Sequence, residues 1–273
     1  MVNFENKDRY GVYDLKKIIA ILRAPGGCPW DAEQTHESIR RNLLEEAYEA
    51  AEAIDDNDPE HLKEELGDVL MQVIFHADIE EKAGRFDLDD VADATVRKLI
   101  YRHPHVFGDA VVSGSGEVLD NWEKIKRREK AQRSTADALD AVAKSLPALW
   151  RAEKLQKKAA KEAGFDWPDI TGAMDKLREE LAELTEAVEG RGDAFEELGD
   201  VLFSVVNVAR FLRVDPEQAL TAACDKFAAR FRRLEETAES HGVRLSELSL
   251  SEMDMLYEEA KDALKKDYGP KGV

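Results

Sequence analysis

The sequence predicts an all-α protein made of two tandem helical-bundle modules. Three observations carry that prediction. The heptapeptide EELGDVL stands at 64–70 and returns at 196–202. Apolar residues recur at i, i+3, i+4 and i+7 over long stretches, the period of a helix, and few stretches alternate as strands do. Glycine and proline, which interrupt helices, number only 16 and 8 among 273 residues.

The elements follow in order. The first copy opens with GGCPWD (26–31), then LLEEAYEAAEAI (43–54), a helix with an apolar stripe. DDNDPEH (55–61) is short, polar and holds a proline, as helix hairpins do. KEELGDVLMQVIFHA (63–77) is therefore an antiparallel neighbour, and KLIYR (98–102) lies on a later helix. RREKAQRSTADALDAVAKS (127–145) is polar, with no strong apolar stripe before Leu146. It reads as a linker, which sets modules at 1–126 and 145–273 around 127–144. SLPALWRAEKLQKKAAKEAG (145–164) opens the second copy, with Pro147 near a helix start and Gly164 at its end. AGFDW (163–167), LREELAELTEAV (177–188), the break EGRGDA (189–194), FEELGDVLFSVVNVA (195–209) and KFAAR (226–230) repeat the first copy's order. Each copy far exceeds the ~50-residue units of solenoids, so this is a duplicated domain.

At roughly 100° per residue, Leu43, Ala47, Ala50 and Ile54 share one side of the first helix, and Glu46 and Glu49 lie together on its flank. Glu45 and Glu52 point to solvent. Leu62, Leu66, Val69 and Val73 form the stripe of the next helix, flanked by Glu65 and Asp68. The second copy repeats the pattern with Glu180 and Glu183, then Glu197 and Asp200. Antiparallel packing brings each pair of carboxylate pairs together. Like charges at this spacing cost a few tenths of a kcal/mol (~0.2–0.5) even when exposed, so something must neutralise them. Mg²⁺ suits the task, being hard and oxygen-seeking, with Mn²⁺ as a substitute. One EExxE alone reads as a solvated acidic face. Two, each followed by EELGD at nearly equal distance, do not.

Gly67 and Gly199 sit inside helical patterns, where glycine costs about 1 kcal/mol relative to alanine. That suggests close approach to the glycine backbone, either by another helix or by a ligand. Lys98 and Arg102 share a helix face, as do Lys226 and Arg230, and each pair suits phosphate oxygens or surface ion pairs. Arg151, Lys154 and Lys158 form another basic stripe. Trp30, Trp122, Trp167 and Tyr257 suit either a core or stacking on a base.

Bulk properties exclude several classes. A net charge of −19 repels nucleic acid, and any phosphate ligand then needs a metal or a local basic patch. There is no apolar run of roughly 18 residues for a membrane span, and MVNFENKDRYGVYDLKK does not read as a signal peptide. Cys28 and Cys224 make neither a zinc cluster nor a disulfide framework, which fits a reducing cytoplasm. There is no G-x-x-x-x-G-K-[ST] pattern, which argues against P-loop chemistry. A di-iron bundle wants Glu-x-x-His on two helices, and the single instance, Glu33–His36, lies outside the paired helices.

The ordered set GCPWDAEQT (27–35), LLEEAYE (43–49), EELGDVL (64–70), RHPHVFGD (102–109), NWEKIK (121–126), SLPALWRAEKLQKKAA (145–160), GFDW (164–167) and the second EELGD resembles the MazG family of nucleoside triphosphate pyrophosphohydrolases over nearly the whole chain. The resemblance implies tandem helical modules, a homodimer, and Mg²⁺-dependent hydrolysis of NTP or dNTP between the α and β phosphates, giving NMP and pyrophosphate. It implies metal ligands Glu180, Glu183, Glu197 and Asp200, with Glu46, Glu49, Glu65 and Asp68 as the matching N-terminal set. Glu179 or Glu180 would orient the attacking water. Lys176, Glu196, Lys226, Arg230 and Tyr257 match substrate-binding positions, with Lys98, Arg102 and Trp122 as N-terminal counterparts. In two-module members the C-terminal module is usually the catalytic one. The chain departs from the pattern at Asp193, where members can carry lysine, and at Tyr257, which takes the place of a tryptophan. Alternatives are a narrower dNTP pyrophosphatase of the same superfamily and a non-catalytic helical dimerisation or regulatory module.

Overall fold

A computed structural model describes residues 4–129 and 132–268. Residues 1–3 and 269–273 of the expected modules, and 130–131 of the expected linker, lie outside the described residues. Every regular element among those described is helical. The chain divides into two compact units, one ending at Lys126 and the other starting at Arg127.

Unit 1 holds α1 (Val12–Leu22), α2 (Pro29–Glu33), α3 (His36–Asp55), α4 (Pro59–Lys82), α5 (Leu88–Arg102), α6 (Pro104–Phe107) and most of α7 (Ser115–Glu129). Its centre is the α3–α4 hairpin. Asp58 caps α4, accepting from the backbone N–H groups of Glu60 and His61, and Pro59 follows at the first helical position, where a missing N–H costs nothing. α1 lies along α4. The core is Ile19, Ile39, Ile74 and Phe75, with Leu15, Leu22, Leu70 and Met71 against it.

Unit 2 repeats the plan with α9 (Ala148–Ala163), α10 (Ile170–Val188) and α11 (Ala194–Leu212), then α12 (Pro216–Ser240) and α13 (Leu250–Tyr268). α10 and α11 form the hairpin, α9 lies along α11, and α12 packs chiefly on α13. Pro147 precedes α9. Gly164 ends it at φ 65°, a left-handed conformation that suits glycine. The stretch 127–144, read from sequence as a linker, holds α8 (Thr135–Asp140). Ser134 caps it, and Ala138 and Val142 are buried as it packs on α9. Two small apolar residues suffice to dock so short a helix, which is why no stripe announces it.

The hairpin faces are rotated from the sequence expectation. Ala50 is buried as expected, but Ile54 is 60% exposed and Leu66 53%, whereas Ala53, Glu65 and Gln72 are buried. In unit 2, Leu198 and Leu202 are exposed while Glu180 is buried. Glu65 and Glu180 thus lie within the facing stripes, whereas Glu49, Glu183 and Asp200 stay exposed on the flanks, and several large apolar side chains point outward. Helical periodicity reports an amphipathic helix but not which face meets the neighbour. At Gly67 and Gly199 the expected close packing of another helix is not found. A Cβ at either would meet nothing within 4 Å, so no backbone approaches them closely within their own units.

Candidate metal and nucleotide site

Each hairpin gathers three carboxylates. Glu46 and Glu49 of α3 meet Glu65 of α4, and Glu180 and Glu183 of α10 meet Glu197 of α11. In each trio, one oxygen per residue lies within 4.8 Å of the others. The i, i+3 spacing stacks two acids a turn apart on one helix, and the short hairpin turn brings the third across. Asp68 and Asp200 lie one turn beyond the third acid. Asp68 acts on Glu46 electrostatically, and Asp200 on Glu197.

The carboxyls report their crowding. Burial, then Asp68 and Glu49, push the Glu46 carboxyl above its ordinary value. Burial and then Glu49 do the same to Glu65, against a partial offset from His61. Glu183 is raised by burial and by its hydrogen bond with Glu180. Glu197 is raised by burial, then by Glu196, Asp200 and Glu180. Desolvation and like charge both disfavour ionisation. Glu65 Oε2 is buried with no hydrogen-bond partner. Convergent hard oxygens, one of them orphaned, fit a divalent cation.

The two sites differ in their neighbours. In unit 2, Lys176 Nζ lies 2.8 Å from Glu179 Oε1 and 2.7 Å from Glu180 Oε1. These bonds, Glu179 first, hold the ammonium pKa well above the usual lysine range. In the register of LLEEAYE against LREELAE, unit 1 has Asn42 at this position. There His61 instead sits 3.1 Å from Glu65. The corresponding residue of unit 2, Asp193, caps α11 by accepting from the Phe195 N–H at 2.9 Å. A lysine there would forfeit the cap, so the departure at Asp193 has a structural purpose.

The other expected residues fall as follows. Glu196 is exposed at the start of α11. Lys226 is exposed on α12, and the Arg230 guanidinium lies 5.9 Å from the centroid of the Tyr257 ring, itself 6.0 Å from Phe227. Unit 1 repeats this pairing: Arg102 is 5.4 Å from the Trp122 ring, and Lys98 is exposed. Among the described residues, no ion pair joins Lys226 or Arg230 to Glu180, Glu183, Glu197 or Asp200.

A cavity of about 490 Å³ opens beside the second cluster, within the range of small-molecule sites (about 300–1,000 Å³). Lys176, Glu180 and Asp200 border it, and Trp167 and Phe203 supply apolar wall. Its polar residues Gln156, Ser204 and Asn207 were missed by sequence reasoning. Aligning the two copies position by position would have found Gln156 and Asn207, which stand opposite Ile19 and Phe75, but not Ser204, which stands opposite the polar Gln72.

The sequence matches the family model described as the MazG nucleotide pyrophosphohydrolase domain twice, at residues 34–107 and 168–234. Those segments contain the two hairpins, the six clustered glutamates, and Asp68 and Asp200. The chain belongs to the MazG family. It is 46% identical over 248 residues to the Thermotoga maritima protein named nucleoside triphosphate pyrophosphohydrolase/pyrophosphatase MazG, covering 91% of this chain and 94% of that one. It is 43% identical over 252 residues to the Escherichia coli K12 protein named nucleoside triphosphate pyrophosphohydrolase, covering 90% and 95%. It is also 49% identical over 249 residues to Bacillus subtilis YabN, named as uncharacterized, where it spans 90% of this chain but 51% of that longer one. The all-α architecture of two tandem MazG modules agrees with the sequence expectation.

Proposed function

We propose that this MazG protein hydrolyses nucleoside triphosphates at the α–β phosphoanhydride to NMP and pyrophosphate, with the C-terminal unit as the working site. The observation that carries the reading is the trio Glu180, Glu183 and Glu197, with Asp200 alongside, at the rim of a cavity. These four would hold Mg²⁺, or Mn²⁺ in its place. When bound, the ion would offset charge building on the phosphates. Glu46, Glu49, Glu65 and Asp68 form a second site of the same donor type.

The chain's own residues do the rest. Glu180, buried and bonded to Lys176, is oriented to position the attacking water, and exposed Glu179 accepts its proton. Lys176 holds both carboxylates in place and supplies positive charge where unit 1 has none. Lys226 and Arg230 stabilise the pyrophosphate leaving group. Their lack of ion pairs to the cluster leaves them for phosphate. Tyr257 and Glu196 contribute to substrate binding, as do Lys98, Arg102 and Trp122 if the first site also works.

The outward apolar residues of the hairpins, among them Leu181, Leu198, Leu202 and Val205, fit a homodimer in which a second copy covers them. Among the described residues, no helix is long and apolar enough to cross a membrane. A cytoplasmic setting, with no nucleic acid partner, suits a −19 chain with two free cysteines.

Product analysis tests the reading. Each common NTP and dNTP is incubated with the chain and Mg²⁺, and the products are separated. NMP with pyrophosphate is expected, and Glu180→Gln should remove far more activity than Glu46→Gln. NDP with phosphate would refute the bond assignment.

A further inference from the structure

The two copies of the module differ in what fills the space beside the acid cluster. EELGDVL fixes their register: Ile74 of unit 1 stands at Val206 of unit 2, and both are fully buried. Phe75 then corresponds to Asn207. Gly27 and Trp30 pair with Gly164 and Trp167, which places Ile19 opposite Gln156. In unit 1, Ile19 and Phe75 are core residues, and the Arg23 guanidinium lies 4.4 Å from the Phe75 ring centroid. In unit 2, two amides replace an isoleucine and a phenylalanine, and the 490 Å³ cavity stands there.

Those amides are held in fixed orientations. Gln156 is 8% exposed, and its Nε2 donates to the Phe203 carbonyl at 2.8 Å. Its Oε1 is buried and has no partner. Asn207 Oδ1 accepts from Arg210 Nε at 2.9 Å, and Arg210 is anchored in turn by both carboxylate oxygens of Asp166. Asn207 therefore turns its Nδ2 donor away from Arg210. A buried acceptor without a donor is costly to keep unless a ligand satisfies it. The indole of Trp167 borders the same space, seated directly against Gly172.

We propose that this cavity receives the nucleobase of the substrate, with Gln156 Oε1 accepting an N–H from the base edge, Asn207 donating to it, and Trp167 packing on its face. This rests on the nucleotide reading above. It makes Gln156 and Asn207 specificity-determining residues of unit 2, and it sets unit 2 apart from unit 1, where Ile19 and Phe75 fill the matching space. The base must offer an N–H donor, so purine riboside, which has none on that edge, is the discriminating probe against adenosine.

The test uses the full chain without metal or phosphate, so it does not depend on turnover. Adenosine and purine riboside are titrated while the Trp167 indole N–H signal is followed by NMR, assigned with Trp167→Phe. Adenosine is expected to shift that signal and to bind tighter than purine riboside by about 10–100-fold, the scale of one unsatisfied buried acceptor. Gln156→Leu should collapse that ratio towards one, with folding checked by circular dichroism. If the variant does not fold, the wild-type comparison of the two nucleosides still decides. Adenosine binding without preference over purine riboside, or binding unchanged in Gln156→Leu, would overturn the proposal. So would binding lost in Tyr257→Ala but not in Gln156→Leu, since the base would then sit on α13. If ATP is hydrolysed yet adenosine leaves Trp167 unmoved, the pocket assignment fails and the activity stands. If adenosine binds as expected but no triphosphate is cleaved, the activity fails and the pocket stands.

Discussion

Gly172→Ala is a small change whose consequence the structure fixes. Gly172 lies in the first turn of α10, eight residues before Glu180. A Cβ there would fall 2.5 Å from Trp167 Cγ and 2.8 Å from Nε1, and closer still to Cδ1. Ordinary carbon contacts are about 3.5–4.0 Å, so the indole must retreat by about 1 Å or more. The ring is rigid and cannot flex its end away. Overpacking of this kind costs about 1–3 kcal/mol. Alanine recovers up to about 1 kcal/mol of helix propensity. The balance is a loss of roughly 0–3 kcal/mol, with Trp167 displaced from the cavity wall. Urea unfolding followed by circular dichroism reads the first quantity, and the Trp167 indole signal reads the second. Adenosine binding should weaken in step. A variant that is more stable than wild type and leaves the indole signal in place would refute the reasoning.

Other outcomes follow from the same structure. Gly199→Ala, with nothing within 4 Å of its Cβ, should gain about 0.5–1 kcal/mol in a urea melt. A loss would show that the position is crowded after all. Glu80 is held at about 2, first by Arg85 and then by His36, below its ordinary 4.5. A depressed carboxyl gives stability that is full above 4.5 and fades as pH falls towards 2. Glu80→Gln should therefore flatten the acid side of the stability profile, and an unchanged slope would contradict this. Glu46, Glu65, Glu183 and Glu197 are raised, so protonating them favours the folded state. Without metal, their share of stability should grow as pH falls through the raised values towards the ordinary carboxylate range. Metal affinity, measured by calorimetry, should weaken over that same window, because proton and cation compete for the same oxygens. Affinity that is flat with pH there would count against the cluster as the site.

The sequence by itself determined the fold class, the duplication and the acids. Helical period, the repeated heptapeptide and the i, i+3 carboxylates are local patterns, and a helix writes its own spacing into the chain. Pro59, Pro147 and Gly164 marked helix ends for the same reason. The tertiary structure decided what local pattern cannot express. It turned Glu65 and Glu180 into the hairpin interface and Leu66 and Leu198 out of it, because which face is buried depends on the neighbour and not on the helix. It docked α8 on two small residues, too few to form a stripe. It left open space beside Gly67 and Gly199. It also opened a cavity at Gln156 and Asn207. A polar residue at a core position has meaning only once its partners, or the lack of one, are known in space.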